Sequence, residues 1–458
     1  MKKVFSNFIA LSLGEATSKV LGFVSTIYLA RILGADGYGQ YAFVLAIYSY
    51  FALLANPGFE TVGTREVAKG KYSVGLLFGS IFVLRAFFTA IAFILLLLTA
   101  FLVHFEDVTR VLLLTQGLNL LLTPLLIQFV FRGLTEMRYV SFARILQSGV
   151  FLLVVVMFVR SKEALVYLPL LFLGSTVVSL GPLFFLYRER FGSFSLSTSG
   201  EARRYILRVS TMVGGSSLMV LIYYNLDSVI LGFLRSSHEV GLYAAAYKII
   251  LLLITVPGMI LASFFPFLSK NRNEEGYDNM LRTYLHVMFV VGAPVGFIGY
   301  FAAEWVIQIV FGSSFQLAAI PLRILLFNVS LVFINMAYAN PLLAWGKEKA
   351  YLKVVTGGAI TNLIFNILLI PSYGMVGAAI ATLLSEAVVF IIARIEFSKH
   401  SDVQSSWVLL LVVLISFSLF LLCAITMWIW PVNVIVATVL YSVLYLVTVY
   451  SFRSRIVW

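Results

Sequence analysis

Long apolar stretches, each followed by a few polar residues, recur about fourteen times along the chain. A run of roughly 20 apolar residues is what a helix needs to cross the hydrocarbon of a bilayer. The pattern predicts spans near 7–32, 38–58, 74–103, 109–131, 139–159, 164–187, 205–234, 240–268, 279–302, 317–345, 349–371, 374–397, 406–429 and 432–452. Fourteen crossings put both ends of the chain on one side. The first run, from about Asn7 to Ile32, exceeds the roughly 7–15 apolar residues of a signal-peptide core and lacks a small-residue cleavage site, so it is expected as a retained span.

Composition strengthens this reading. Hydrophobic residues make up 61% and charged residues 11% of the chain, with a mean hydropathy of +1.01, whereas soluble domains carry about 25% charged residues. The net charge of +12 does not point to nucleic acid, which needs basic residues gathered on one solvated surface. Here they follow the connections. Twenty-two Lys and Arg fall on the side of the N-terminus, from Lys2 and Lys3 to Arg453 and Arg455, and five on the other, namely Arg31, Arg110, Arg160, Lys162 and Arg235. Cytoplasmic loops carry the excess, so both termini are expected in the cytoplasm and the protein in the plasma membrane. The lone Cys423 excludes an intrachain disulfide and a cysteine metal cluster.

The chain repeats itself. Leu33-Gly34-Ala35-Asp36-Gly37-Tyr38-Gly39 precedes Pro57-Gly58, and Ser236-Ser237-His238-Glu239-Val240-Gly241-Leu242-Tyr243 precedes Pro257-Gly258, an offset of about 200 residues. A Gly-x-Tyr turn alone is loop chemistry; turn, proline and topology together point to duplication. The expected organisation is an N-terminal lobe over 1–200, a C-terminal lobe over 201–402 and two extra helices over 403–458. Parallel repeats of this kind build transporters with the substrate site between the lobes.

Charges inside the spans carry the functional signal, because an ionisable group in hydrocarbon persists where it faces an interior or a water-filled cavity. Five bases remain after the connections are subtracted, Lys19, Arg85, Arg144, Lys248 and Arg323, against the acids Glu15, Asp227 and Glu386. A cationic excess suits a phosphate or pyrophosphate group, whereas an organic cation would want the reverse. Arg85 lies near mid-bilayer and is the leading candidate ligand, while Arg144 and Arg323 start close enough to span ends to snorkel. Glu15 and Lys19, four apart, share a helix face and either neutralise each other or release Lys19 to the substrate. Asp227 and Lys248 sit at similar depth on adjacent spans. They form either a buried ion pair or a site where Asp227, beside Asn225, Tyr223 and Tyr224, takes a proton or Na⁺ and frees Lys248. Glu386 is a further coupling candidate. Gly292, Pro294, Gly296, Gly357 and Gly358 suggest close helix packing or bends.

No catalytic set appears. His104, His238, His286 and His400 lack metal-ligand spacing, and there is no phosphate-binding glycine loop or nucleophile elbow. No cofactor is expected. A glycan polymerase or ligase would be expected to hold its chemistry in a sizeable outer loop, and the outer connections are short.

Several segments resemble a known family. Ala30-Arg31-Ile32-Leu33-Gly34 through Tyr38-Gly39, Gly58-Phe59, Thr64-Arg65-Glu66-Val67-Ala68, and Ile370-Pro371-Ser372-Tyr373-Gly374-Met375-Val376-Gly377-Ala378-Ala379-Ile380-Ala381-Thr382 with Ser385-Glu386 resemble the Wzx-type polysaccharide-biosynthesis flippases of the multidrug/oligosaccharidyl-lipid/polysaccharide exporter superfamily. The resemblance implies an all-α, V-shaped, two-lobed bundle that moves a polyprenyl-diphosphate-linked oligosaccharide from the inner to the outer leaflet. With the intramembrane charges above, the expectation is that the diphosphate is held by Arg85 and Lys19 with Lys248 and Arg323, that an ion or proton gradient drives transport, and that a polysaccharide polymerase or ligase acts downstream. Lipid II flippases and cation-coupled multidrug exporters are similar in topology and remain the alternatives.

Overall fold

The computed structural model describes residues 2–192, 198–270, 272, 274–403, 406–429 and 434–451, with the side chains of 2–13, 406, 428, 434 and 435 left out. Arg453, Arg455 and the side chains of Lys2 and Lys3 from the charge count lie outside this set. The described chain is helical: α1 (Lys2–Ala55), α2 (Phe59–Lys69), α3 (Val74–Leu102), α4 (Asp107–Gly117), α5 (Gln128–Gly133), α6 (Met137–Phe158), α7 (Leu168–Phe191), α8 (Gly200–Leu234), α9 (Ser237–Leu253), α10 (Thr255–Leu268), α11 (Tyr277–Val310), α12 (Ala319–Ala344), α13 (Glu348–Ser398), α14 (Ser406–Ile429) and α15 (Val434–Ser451).

Among the described residues, eleven helical segments are long and apolar enough to cross a membrane, and Val436–Ser451 is a shorter apolar one. Two of the eleven are long enough for two crossings each. At about 1.5 Å per residue, α1 and α13 would be about 80 Å long, more than twice the hydrocarbon thickness. Each breaks instead at a glycine, α1 at Gly34 (φ 70°, ψ 179°) and α13 at Gly374 (φ 54°, ψ −132°), conformations that a Cβ disfavours. The arrangement is consistent with the fourteen spans expected.

Two predicted continuous helices are interrupted. The span expected over 109–131 ends as α4 at Gly117, runs as a 3₁₀ segment over Leu118–Leu125 and passes through extended Leu126 before α5. Pro124 is the local cause, since it lacks an N–H and its ring opposes the α-helical turn before it. The span expected over 240–268 divides at Ile254 into α9 and α10.

The chain forms two compact units, Met1–Asn225 and Leu226–Trp458, with the border inside α8. In the N-terminal unit α1 packs on α3 and α6, over a core that includes Phe59, Phe78, Phe129, Phe131 and Tyr187. In the C-terminal unit α11 packs on α12, and α12 on α13. Gly292, Gly296 and Gly299 let α11 press against Phe333, Phe327 and Leu326 so closely that an added Cβ would overlap them, the close-packing device of membrane helices. Helices α14 and α15 pack on α11 through Val408, Val412, Cys423, Tyr441 and Tyr445. Large apolar side chains such as Phe101, Leu102, Leu153, Phe185, Leu368 and Leu446 stand exposed, as lipid-facing residues do.

Candidate functional site

The interruption of the fourth span opens a cavity inside the N-terminal unit. Its volume is about 290 Å³, and its walls come from α1 (Tyr48), Asn56 just after it, the 3₁₀ segment (Asn119, Thr123), Leu126 and Gln128 at the break, α6 (Gln147) and α7 (Phe172, Thr176, Ser179). No charged side chain lines it. Its amides are held in fixed orientations. Asn119 Nδ2 donates to the Pro169 carbonyl (3.1 Å), and Gln147 Nε2 donates to Thr176 Oγ1 (2.8 Å). Asn119 is buried, and its Oδ1 has no hydrogen-bond partner among the described residues.

Arg85 lies behind this wall. It is fully buried; its Nε donates to Asn56 Oδ1 (3.1 Å), its Nη1 donates to the Leu126 carbonyl, and its guanidinium covers the ring of Phe129 at 5.6 Å. Non-helical backbone at membrane depth needs partners from elsewhere in the protein, and the guanidinium provides one for Leu126. The expectation that Arg85 is a diphosphate ligand is therefore revised: it braces two residues of the cavity wall from inside the packed core.

The other charged candidates are rearranged as well. Glu15 pairs with Arg144 of α6 at 2.6 Å, not with Lys19. The reason is the close approach of the two helices, where Gly14 abuts Ser141 and Ser18 Oγ lies 2.7 Å from Ser148 Oγ. Lys19 is exposed and makes no ion pair among the described residues. Arg323 pairs with Glu304 at 3.2 Å and donates to the Tyr300 carbonyl. Glu304 lies just past the predicted end of its span, so the sequence count left Arg323 unmatched.

In the C-terminal unit, Asp227 is buried and accepts hydrogen bonds from the hydroxyl of Tyr243 and from Ser228 N (2.7 Å). It does not pair with Lys248. Tyr243 and Lys248 are five residues apart on α9, roughly 140° around the helix, so both cannot address one carboxylate. Lys248 is half-buried without an ion pair among the described residues. Glu386 is buried on α13 and accepts from Asn335 Nδ2. Thr382, one turn earlier on the same face, is buried too. Asn225 belongs to the N-terminal unit, where its Nδ2 reaches only the Leu221 carbonyl at 3.5 Å. No group of three His, Cys, Asp or Glu suited to a metal ion occurs among the described residues.

Sequence reasoning missed the cavity because its walls are neutral residues scattered through four apolar runs. The usable signal was Thr123-Pro124 inside a predicted span that also carries Asn119.

Comparison with known proteins adds four findings. A family model described as "Polysaccharide biosynthesis protein" matches residues 4–272. The chain is 31% identical over 169 residues to the "Probable flippase AglR" of Haloferax volcanii, a match covering 36% of this chain and about a third (35%) of that protein's length. It is 21% identical over 391 residues to a "Putative O-antigen transporter" of Escherichia coli strain K12, covering 84% of this chain and 94% of that one. Its fold is similar to that of a solved structure of "Lipid II flippase MurJ, inward closed conformation", with a TM-score of 0.80 at 14% identity over 98% of this chain and 100% of that one.

Proposed function

The chain belongs to the polysaccharide biosynthesis protein family, and on that premise we propose that it is a flippase that carries a polyprenyl-diphosphate-linked oligosaccharide from the cytoplasmic to the outer leaflet. It is a multi-pass membrane protein and a transporter, not an enzyme. The proposed setting is the plasma membrane with both termini in the cytoplasm, in keeping with twenty-two Lys and Arg on the N-terminal side against five on the other. Polyprenyl-linked glycan and membrane lipid are its partners, and a polymerase or ligase would take the product.

Lys19 carries the reading. It is an intramembrane cation that the chain leaves without an acidic partner among the described residues, and such a group binds a diphosphate through charge-assisted hydrogen bonds. Lys248 is the second candidate, in the C-terminal unit. Arg144 and Arg323 rank below them because Glu15 and Glu304 occupy them. Coupling to H⁺ or Na⁺ is assigned to Asp227, with Glu386 as the second carboxylate. Glu15 is engaged by Arg144, and Asn225 has no contact that recommends it.

The test is deletion of the gene followed by mass spectrometry of polyprenyl-linked glycans. A completed oligosaccharide accumulating on its carrier while the surface polymer disappears is the expected result. Accumulation of the peptidoglycan precursor would identify a lipid II flippase. A normal carrier pool with altered sensitivity to cationic compounds would replace the proposal with drug export.

A further inference from the structure

We propose that the neutral cavity of the N-terminal unit is a subsite for one sugar of the transported head group, distinct in chemistry from the cationic groups that hold the diphosphate. The inference rests on the flippase reading and says which part of the substrate this cavity receives.

The orientation of the amides carries the argument. Arg85 holds Asn56 Oδ1, which leaves Asn56 Nδ2 to donate into the cavity. Gln147 Nε2 is held by Thr176, which leaves Gln147 Oε1 to accept. A guest must therefore both donate and accept. Sugar hydroxyls do both, whereas a diphosphate only accepts and would meet the Gln147 oxygen and no cation. An organic cation would find no carboxylate there, since no acid lines the cavity.

Size and shape agree. About 290 Å³ lies at the lower end of the roughly 300–1,000 Å³ of small-molecule sites, enough for a monosaccharide unit and too little for a whole oligosaccharide. Phe172 and Tyr48 provide ring surface in the same wall, suited to the C–H face of a pyranose. Arg85 acts here as a positioning residue, since Asn56 and Leu126, its two partners, both line the cavity.

The experiment uses the full chain in nanodiscs with Cys423→Ala and Ser179→Cys, so that the only thiol reports from the cavity wall. Alkylation by a maleimide is timed with undecaprenyl diphosphate bearing a single hexose or N-acetylhexosamine, and with bare undecaprenyl diphosphate. Slowing by at least fivefold with a glycosylated carrier and less than twofold with the bare one is expected. Gln147→Leu, each variant checked for an unchanged melting temperature, should weaken binding of the glycosylated carrier by roughly tenfold, as loss of one hydrogen bond does, and leave the bare carrier alone. Equal slowing by both carriers, or by neither, would overturn the sugar subsite. Lys19→Gln read beside it separates the two ideas: if it leaves bare-carrier binding intact while Gln147→Leu still discriminates, the cationic reading fails and the sugar subsite stands.

Discussion

The carboxylate of Glu239 accepts a hydrogen bond from the backbone N–H of Met375 at 2.9 Å, and Arg235 donates to the carbonyls of Ile370 (3.3 Å) and Pro371 (2.8 Å). In an unbroken helix the Met375 N–H would bond the Pro371 carbonyl. The kink at Gly374 breaks that bond, and two charged residues at the α8–α9 turn take its two halves. An alanine at Gly374 would sit at φ 54° with its Cβ against the Glu239 carboxylate. Gly374→Ala is expected to cost about 1–3 kcal/mol for the backbone conformation alone, and Glu239→Ala about 1–3 kcal/mol for the orphaned N–H. Thermal unfolding in nanodiscs checks both, and a melting temperature unchanged in Glu239→Ala would show that the cap is dispensable.

A second freed backbone group lies under the C-terminal helices. Pro294 lacks an N–H, so the carbonyl of Val290 has no helical donor. The hydroxyl of Tyr445 on α15 donates to it at 2.7 Å. Ser330 Oγ next to it accepts from Gly296 N at 2.9 Å. Tyr445→Phe should cost roughly 1–3 kcal/mol with little change of volume, and hydrogen exchange should rise in α14 and α15 before the rest of the C-terminal unit. Protection of α15 equal to that of the parent would refute a docking role for this hydroxyl.

The Arg85 arrangement predicts an asymmetry between partners. Asn56→Leu strands a buried cation and should destabilise by about 1.5–3 kcal/mol, the range for hydrogen bonds to charged groups. Arg85→Met removes the cation together with its desolvation cost and leaves two neutral acceptors unmet, the Leu126 carbonyl and Asn56 Oδ1, both at the cavity wall, so it should cost less. Its mark is local: faster hydrogen exchange at residues 126–130 and faster maleimide reaction at Ser179→Cys. Melting temperatures in the opposite order would contradict the brace.

The lengths and spacing of the apolar runs were enough to read an all-helical chain of many membrane spans, because hydropathy largely decides what lipid accepts. Spans near 74–103 and 139–159 correspond to α3 and α6 within a few residues. The sequence reading puts Gly34 in a connection and Gly374 at the start of a span, whereas helix continues on both sides of each glycine. Pairing was less legible. Periodicity puts Glu15 and Lys19 on one face, yet the approach of α6 at Gly14 and Ser141 gives Glu15 to Arg144, and that approach depends on tertiary packing no single helix encodes. The neutral cavity was invisible for a related reason. Its polar atoms converge only because Pro124 breaks one helix beside Gln147 and Thr176 of two others.

Asp227 and Tyr243 give the sharpest test of coupling. Both are buried, and the tyrosine donates to a carboxylate that has no basic partner among the described residues. A group so placed can exchange a proton or cation only by disturbing that hydrogen bond, which ties its occupancy to the contact between Asp227 on α8 and Tyr243 on α9. Asp227→Asn keeps an acceptor for Tyr243 but cannot carry the charge, so the fold should survive while transport in proteoliposomes no longer responds to an imposed pH or Na⁺ gradient. Tyr243→Phe leaves the carboxylate in place without its donor, and should lower stability by about 1.5–3 kcal/mol while the gradient response persists. Glu386→Gln, which retains an acceptor for Asn335, separates the two acids: loss of the response there, with Asp227→Asn still responsive, would move the coupling site to α13.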